Sequence, residues 1–140
     1  MIILDTNVLS ELMRPAPSER VLVWLSNQRS SEEVFLTTIT VAEILYGVEL
    51  LPAGKRRDKL EYEAQAVISE DFAGRILTFE EHAANAFARI AAGQRRQGRP
   101  MAEFDAQIAA IAYVHGATIA TRNTADFEGC GVKLVNPWLD

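Results

Sequence analysis

Short apolar runs alternate with longer stretches of helical period from one end of the chain to the other, and this alternation most limits what the chain can fold into. Strands that alternate with helices imply βαβ units and a parallel sheet with helices packed on it. Met1 to Leu4 is wholly apolar and reads as a buried first strand. Thr6 to Met13 reads as a short helix that ends before Arg14-Pro15-Ala16-Pro17, and Ser18 to Asn27 carries Val21, Trp24 and Leu25 at helical spacing. Val34 to Thr38 is rich in β-branched and aromatic residues and predicts a second strand. Thr40 to Leu51 is predicted as a helix with Val41, Ile44, Leu45 and Val48 on its apolar face, continued by a more polar helix from Lys55 to Ser69. Arg75 to Phe79 predicts a third strand. Glu80 to Gln97 predicts a helix with Ala83, Phe87, Ile90 and Ala91 as its buried stripe. Glu103 to His115 is alanine-rich and helical, with Gly116 as its C-cap residue. Ala117 to Thr121 and Lys133 to Val135 complete the strands. The expected architecture is a three-layer α/β/α sandwich around a mainly parallel sheet, with right-handed crossovers.

A chain of 140 residues amounts to one domain, here residues 1–140, and is long enough to bury a core without staples. Cys130 is the only cysteine, so an internal disulfide is excluded and a reducing cytoplasm is the expected location. The apolar start meets Asp5 at once, which is unlike a signal peptide, and no apolar run approaches the ~20 residues of a membrane span. A net charge of −5 argues against a nucleic-acid coat protein. It does not exclude a nuclease, because acidic metal ligands themselves lower the count. Two basic runs remain, Lys55-Arg56-Arg57-Asp58-Lys59 and Arg95-Arg96-Gln97-Gly98-Arg99. Either fits a solvated face; the second precedes Asp105 closely and has the better claim to a phosphate backbone.

Four acids stand where a strand hands over to a helix or just inside a helix's first turn: Asp5, Glu43, Asp105 and Asp126. Each alone has a structural explanation. Asp5 can N-cap the helix from Thr6. Thr40-Val41-Ala42-Glu43 fits a capping box. Asp105 suits the positive end of a helix dipole, and Asp126 lies in a turn-like stretch. Together they are harder to explain this way. In an open α/β sheet the carboxyl ends of the strands share one rim where ligands bind. Four carboxylates there repel one another unless a cation lies between them, and for an all-oxygen site that cation is Mg²⁺ or Mn²⁺. Asp105 also sits among Met101, Ala102, Phe104 and Ala106, a costly place for an unpartnered charge. Glu103 is a rival to Asp105, whereas Glu61, Glu63, Glu70 and Asp71 read as surface charge. Glu80 and Glu81 follow the third strand in a second capping-box pattern, Thr78-Phe79-Glu80-Glu81. His82 and His115 read as helix-surface or helix-end residues, and Cys130 between Gly129 and Gly131 as a turn residue.

Leu4-Asp5-Thr6-Asn7-Val8-Leu9 resembles the opening motif of the PIN-domain ribonucleases. Thr40-Val41-Ala42-Glu43-Ile44, Phe104-Asp105-Ala106-Gln107-Ile108-Ala109-Ala110 and Thr121-Arg122-Asn123-Thr124-Ala125-Asp126-Phe127 resemble the next three motifs, and Val135-Asn136-Pro137-Trp138 resembles the tail. The motifs occur in order over nearly the whole chain, and they look most like the VapC and FitB type of bacterial toxin. The resemblance implies a Mg²⁺-dependent endoribonuclease, with Mn²⁺ able to substitute, that acts as the toxin of a type II toxin–antitoxin pair. It implies a homodimer, held inactive by a small antitoxin protein, with RNA as substrate and no membrane partner. By motif match Asp5, Glu43, Asp105 and Asp126 form the acidic site. Asp5 and Asp105 hold the metal, Glu43 and Asp126 assist through water, and Thr6 or Asn7, Thr121 and Asn123 support them.

Two other classes compete. A phosphotransfer domain with an acidic metal pocket also groups acids at strand ends. The haloacid-dehalogenase type wants a second aspartate two residues after the first, where Asn7 stands, and the receiver type wants a lysine after a late strand, where Arg122 and Asn123 stand. A non-catalytic interaction module on the same fold gains some support from the apolar helix Val41 to Leu51, while retention of all four acids speaks against it; Leu45, Tyr46, Leu50 and Leu51 near Pro52 add to the expectation of a homodimer.

Overall fold

Five short strands form one parallel sheet in the computed structural model, which describes residues 1–28 and 33–140. The strands are β1 (Ile2–Leu4), β2 (Val34–Thr37), β3 (Ile76–Leu77), β4 (Thr118–Ala120) and β5 (Lys133–Val135), in spatial order β3-β2-β1-β4-β5. The helices are α1 (Thr6–Leu12), α2 (Glu19–Gln28), α3 (Thr38–Glu49), α4 (Lys55–Ala66), α5 (Glu81–Arg96) and α6 (Glu103–His115). The α/β/α sandwich expected from the alternation is what forms.

The pleat sorts the core into two layers, because successive strand residues point to opposite faces. Ile3, Ile119 and Leu134 pack on one side with Ala83 and Ala86 of α5 and Ile108 to Ala112 of α6. Leu4, Ala120 and Val135 pack on the other with Val8 and Leu9 of α1, Val21 and Trp24 of α2, and Phe72. The alanine run of α6 lets it lie close to the sheet, and Gly116 ends it in the left-handed conformation (φ 61°) that a C-cap glycine adopts at little cost.

Several boundaries differ from expectation, each for a local reason. β3 is two residues long because it pairs only with Leu36 and Thr37 of β2, and β2 stops there. It stops because Thr37 caps α3: its Oγ1 accepts from the Thr40 amide at 3.2 Å. Helix α3 therefore starts at Thr38, and Thr40 with Glu43 is not a capping box. The Thr78–Glu81 pattern is not one either. Glu80 is the N-cap position of α5 without a side-chain cap, and Thr78 Oγ1 donates to its carboxylate at 2.8 Å. Helix α4 ends in a wider turn, Val67–Asp71, where the Phe72 amide reaches back to the Val67 carbonyl and drives Ile68 and Phe72 into the core. In α5 the buried positions are Ala83, Ala86 and Gln94, with Phe87 and Ile90 partly buried against them and Ala91 only half-buried. Among the described residues no helix is long and apolar enough to cross a membrane.

Candidate active site

The strand order reverses between β1 and β4. Chains leave the carboxyl ends of these neighbours toward opposite faces, and the crevice this opens is where α/β sheets hold ligands. Asp5 is the residue after β1 and Thr121 the residue after β4, and they meet there. The Asp5 amide donates to the Ala120 carbonyl, so the ladder ends with Asp5 pinned between the two strands.

Asp5 is 6% exposed, and three donors surround its carboxylate. Its Oδ1 accepts from the Thr6 amide at 2.8 Å, the N-cap bond of α1. Its Oδ2 accepts from the Thr121 hydroxyl at 2.8 Å and the Asn7 side-chain amide at 3.3 Å. Thr121 is fully used: its hydroxyl also accepts from Asn7 Nδ2 at 3.2 Å and from the Asn123 amide at 3.1 Å. Asn7 Oδ1 accepts from the Arg122 amide at 3.1 Å, which fixes the orientation of the Asn7 side chain. Both supporting residues offered by the first motif are used: Thr6 donates its hydroxyl to Glu43 Oε1 at 2.6 Å and lies 3.2 Å from the Thr40 hydroxyl. Freed from any capping role, Glu43 is tied to the start of α1. Asn123 takes part through its backbone amide, with its side chain exposed.

Asp105 lies in the first turn of α6 and Asp126 in the 3-10 turn Thr124–Phe127. Neither carboxylate takes a hydrogen bond from a described residue. Asp105 is half-buried, and its pKa is pushed up to about 6, first by burial and then by the charges of Asp5, Asp126 and Glu43. Those contributions place the four acids within electrostatic reach of one another. Burial also raises Asp5, against the pull of the Thr121 and Thr6 bonds, with the Asp126 charge adding to the rise. Burial raises Glu43, opposed by Thr6 and aided by the Asp5 charge. Glu103 is exposed, as are His82 and His115. Cys130 is buried, which raises its thiol, and it lies in the turn expected of it.

As the side chains stand, no group of three or more His, Cys, Asp or Glu among the described residues is drawn together into a metal-holding set. The donor chemistry still suits a hard divalent cation. A carboxylate has about four lone-pair positions, and the three bonds to Asp5 leave one open. Asp105 and Asp126 offer theirs without protein donors in competition.

Two residues near the rim escaped the sequence. Gln94 of α5 does not stand out in the sequence but is buried, donating Nε2 to the Glu128 carbonyl at 2.9 Å, which ties α5 to the segment that carries Asp126. Glu11 reads as helix surface, yet it accepts the Ser18 amide at 2.8 Å and pairs with Arg14 at 3.1 Å, closing the turn from α1 to α2. The Ser18 bond, followed by Arg14, lowers its pKa. Helical spacing puts Gln94 in line with Phe87 and Ile90 and Glu11 three residues from Arg14, but the backbone partners Glu128 and Ser18 lie outside each helix and gave no local signal.

The chain resembles known proteins over its whole length. The PIN domain family model matches residues 2–129. Toxin FitB from Neisseria gonorrhoeae is 45% identical over 140 residues, covering 100% of both chains. A VapC ribonuclease, Y4jK, from Sinorhizobium fredii is 40% identical over 138 residues, covering 99% of this chain and 98% of the relative. The crystal structure of FitAcB from Neisseria gonorrhoeae superposes with a TM-score of 0.89 at 44% identity, covering 100% of both chains. The fold, the four motifs in register and these full-length matches together lead to one conclusion: the chain belongs to the PIN domain family.

Proposed function

We propose that this chain is an endoribonuclease that hydrolyses RNA phosphodiesters with Mg²⁺, for which Mn²⁺ can substitute, and serves as the toxin of a type II toxin–antitoxin pair in the cytoplasm. The observation that carries the reading is Asp105, a half-buried carboxylate with three other carboxylates acting on it and no hydrogen-bonded partner among the described residues. A surplus of negative charge without protein compensation is what a cation site requires. The ribonuclease and toxin names of the full-length relatives support the reaction class.

In this reading Asp5 and Asp105 hold the metal, with Glu43 and Asp126 acting through water. A bound divalent ion supplies an activated water and neutralises phosphate oxygens. The protein's own part is to hold position. Thr121, Asn7 and the Thr6 amide hold the Asp5 carboxylate in place, Thr6 fixes Glu43, and Gln94 holds the segment that follows Asp126. Asn7, where a phosphotransfer aspartate would stand, is spent on hydrogen bonds to Asp5 and Arg122, so that alternative loses its second acid. A small antitoxin protein is the proposed partner. The proposed homodimer draws support from Tyr46 on α3 and Leu50 at its C-cap, 65% and 67% exposed.

The test is cleavage of single-stranded RNA before and after exhaustive chelation. Cleavage should stop with EDTA and return on addition of Mn²⁺. Cleavage unchanged by chelation would refute the metal mechanism, and no cleavage under any condition would favour the non-catalytic module.

A further inference from the structure

We propose that Arg99 is a substrate-binding residue that takes an RNA phosphate beside the acidic pair Asp105 and Asp126. The inference rests on the endoribonuclease reading and adds a contact that the acidic motifs do not contain. A cavity of about 300 Å³ opens at this end of the rim, and its walls include Arg99, Pro100, Asp105, Ala125 and Asp126. A metal site assembled from carboxylates attracts its cation but repels the rest of a polyanion. RNA therefore needs a fixed positive group next to the acids if its neighbouring phosphates are to lie there.

Arg99 is placed for this. Its side chain is exposed, and it forms no ion pair with any described residue although it shares a cavity with two carboxylates. It donates one Nη2 bond to Gln97 Oε1 at 3.0 Å, and its amide is held by the Gln94 carbonyl at 2.9 Å. An arginine fork has five N–H donors, so most of them remain for a ligand. The guanidinium also has a seat. Gly129 adopts φ +79°, and a Cβ built there would lie 2.7 Å from Arg99 Nη2 and 3.2 Å from Gln94 Nε2. The guanidinium tip thus rests against the backbone of Gly129. Gln94 steadies the same loop through the Glu128 carbonyl.

The experiment measures binding of a short random-sequence single-stranded oligoribonucleotide to the Asp5→Asn protein, across a series of NaCl concentrations. A phosphate contact does not depend on base sequence, so the unknown target is no obstacle. Adding Arg99→Gln should weaken binding about tenfold at low salt and make the salt slope shallower by about 0.7, the share of one phosphate on a single strand. Arg99→Lys should keep the slope but recover only part of the affinity, because the planar fork is lost. Lys133→Gln is the control. Lys133 pairs with Thr118 at the amino end of β4, the rim opposite the acids, and its replacement should leave binding unchanged. Equal affinity and slope with and without Arg99, or the same loss from Lys133→Gln, would overturn the proposal and leave the nuclease reading intact. If the Asp5→Asn parent binds no RNA and the wild type cleaves none, both fall together.

Discussion

Asp5 and Asp105 act on each other's charge, yet their surroundings are opposites. Asp5 is buried with donors on both oxygens, from Thr6, Thr121 and Asn7, drawn from the ends of two neighbouring strands. Asp105 has no hydrogen-bonded partner among the described residues and stands in the first turn of α6, where its pKa rises to about 6. The β1–β4 side of the rim is a finished network that would hold its shape with no ligand. The α6 side is left electrostatically unsatisfied. A site built this way has one carboxylate fixed as a reference point and another whose repulsion is relieved only when a cation or a proton arrives. The stability stored on one side and forgone on the other is a trade common at functional sites.

The largest expected effect should ignore this difference. Asp5→Asn and Asp105→Asn should each lower Mn²⁺-supported RNA cleavage by about 10²-fold or more, the scale of losing one charge-stabilising group in an active site. A wild-type rate in either variant would show that the residue is not part of the site.

Folding stability should separate the two sides. Thr121→Val removes the hydroxyl that binds Asp5, Asn7 and Asn123 at once, and leaves a buried carboxylate short of a donor. The cost should be about 1–3 kcal/mol in urea unfolding of the metal-free protein. An unchanged midpoint would mean that the network does not anchor Asp5.

The smallest effect carries a sign. Because the Asp105 pKa is raised on folding, the native state binds the extra proton, and the wild type should lose stability as pH rises from its unfolded value near 3.8 through about 6. Asp105→Asn carries no such charge. It should match the wild type at low pH and exceed it above pH 6 in the metal-free state. The gain should be on the order of 1 kcal/mol, once solvent screening of a half-buried group is discounted. Asp5→Asn should show no comparable gain, since its amide NH₂ must face either the Thr6 amide or the Thr121 and Asn7 donors. Thermal melts of both variants from pH 4 to pH 8 would test the contrast; equal gains would erase it.

Much of this was legible in advance, and the reason is range. Each strand and each helix was visible because hydrophobic period acts between residues a few positions apart. The positions of Asp5 and Asp105 at element starts were visible for the same reason, as was Gly116. Helix caps were local too, but ambiguous: Thr37, Thr38 and Thr40 could each cap α3, and the choice fell to the threonine that ends β2. The length of β3 was not local at all. It is limited by the two residues of β2 available to pair with it.

By itself, then, the sequence determined a parallel α/β sandwich and the placement of four acids at junctions, since both follow from short-range pattern and from the rule that strand ends share a rim. Tertiary structure decided what Asp5 and Glu43 bind beyond the local N-cap. Glu43 meets Thr6 across 37 positions of sequence, and Thr121 meets Asp5 across 116. Gln94 reaches Glu128 across 34. Such partners are chosen by the strand order β3-β2-β1-β4-β5, which brings β1 and β4 side by side. A hydrogen bond of 2.6–2.9 Å depends on that neighbourhood being built first, and no local pattern in either segment records it.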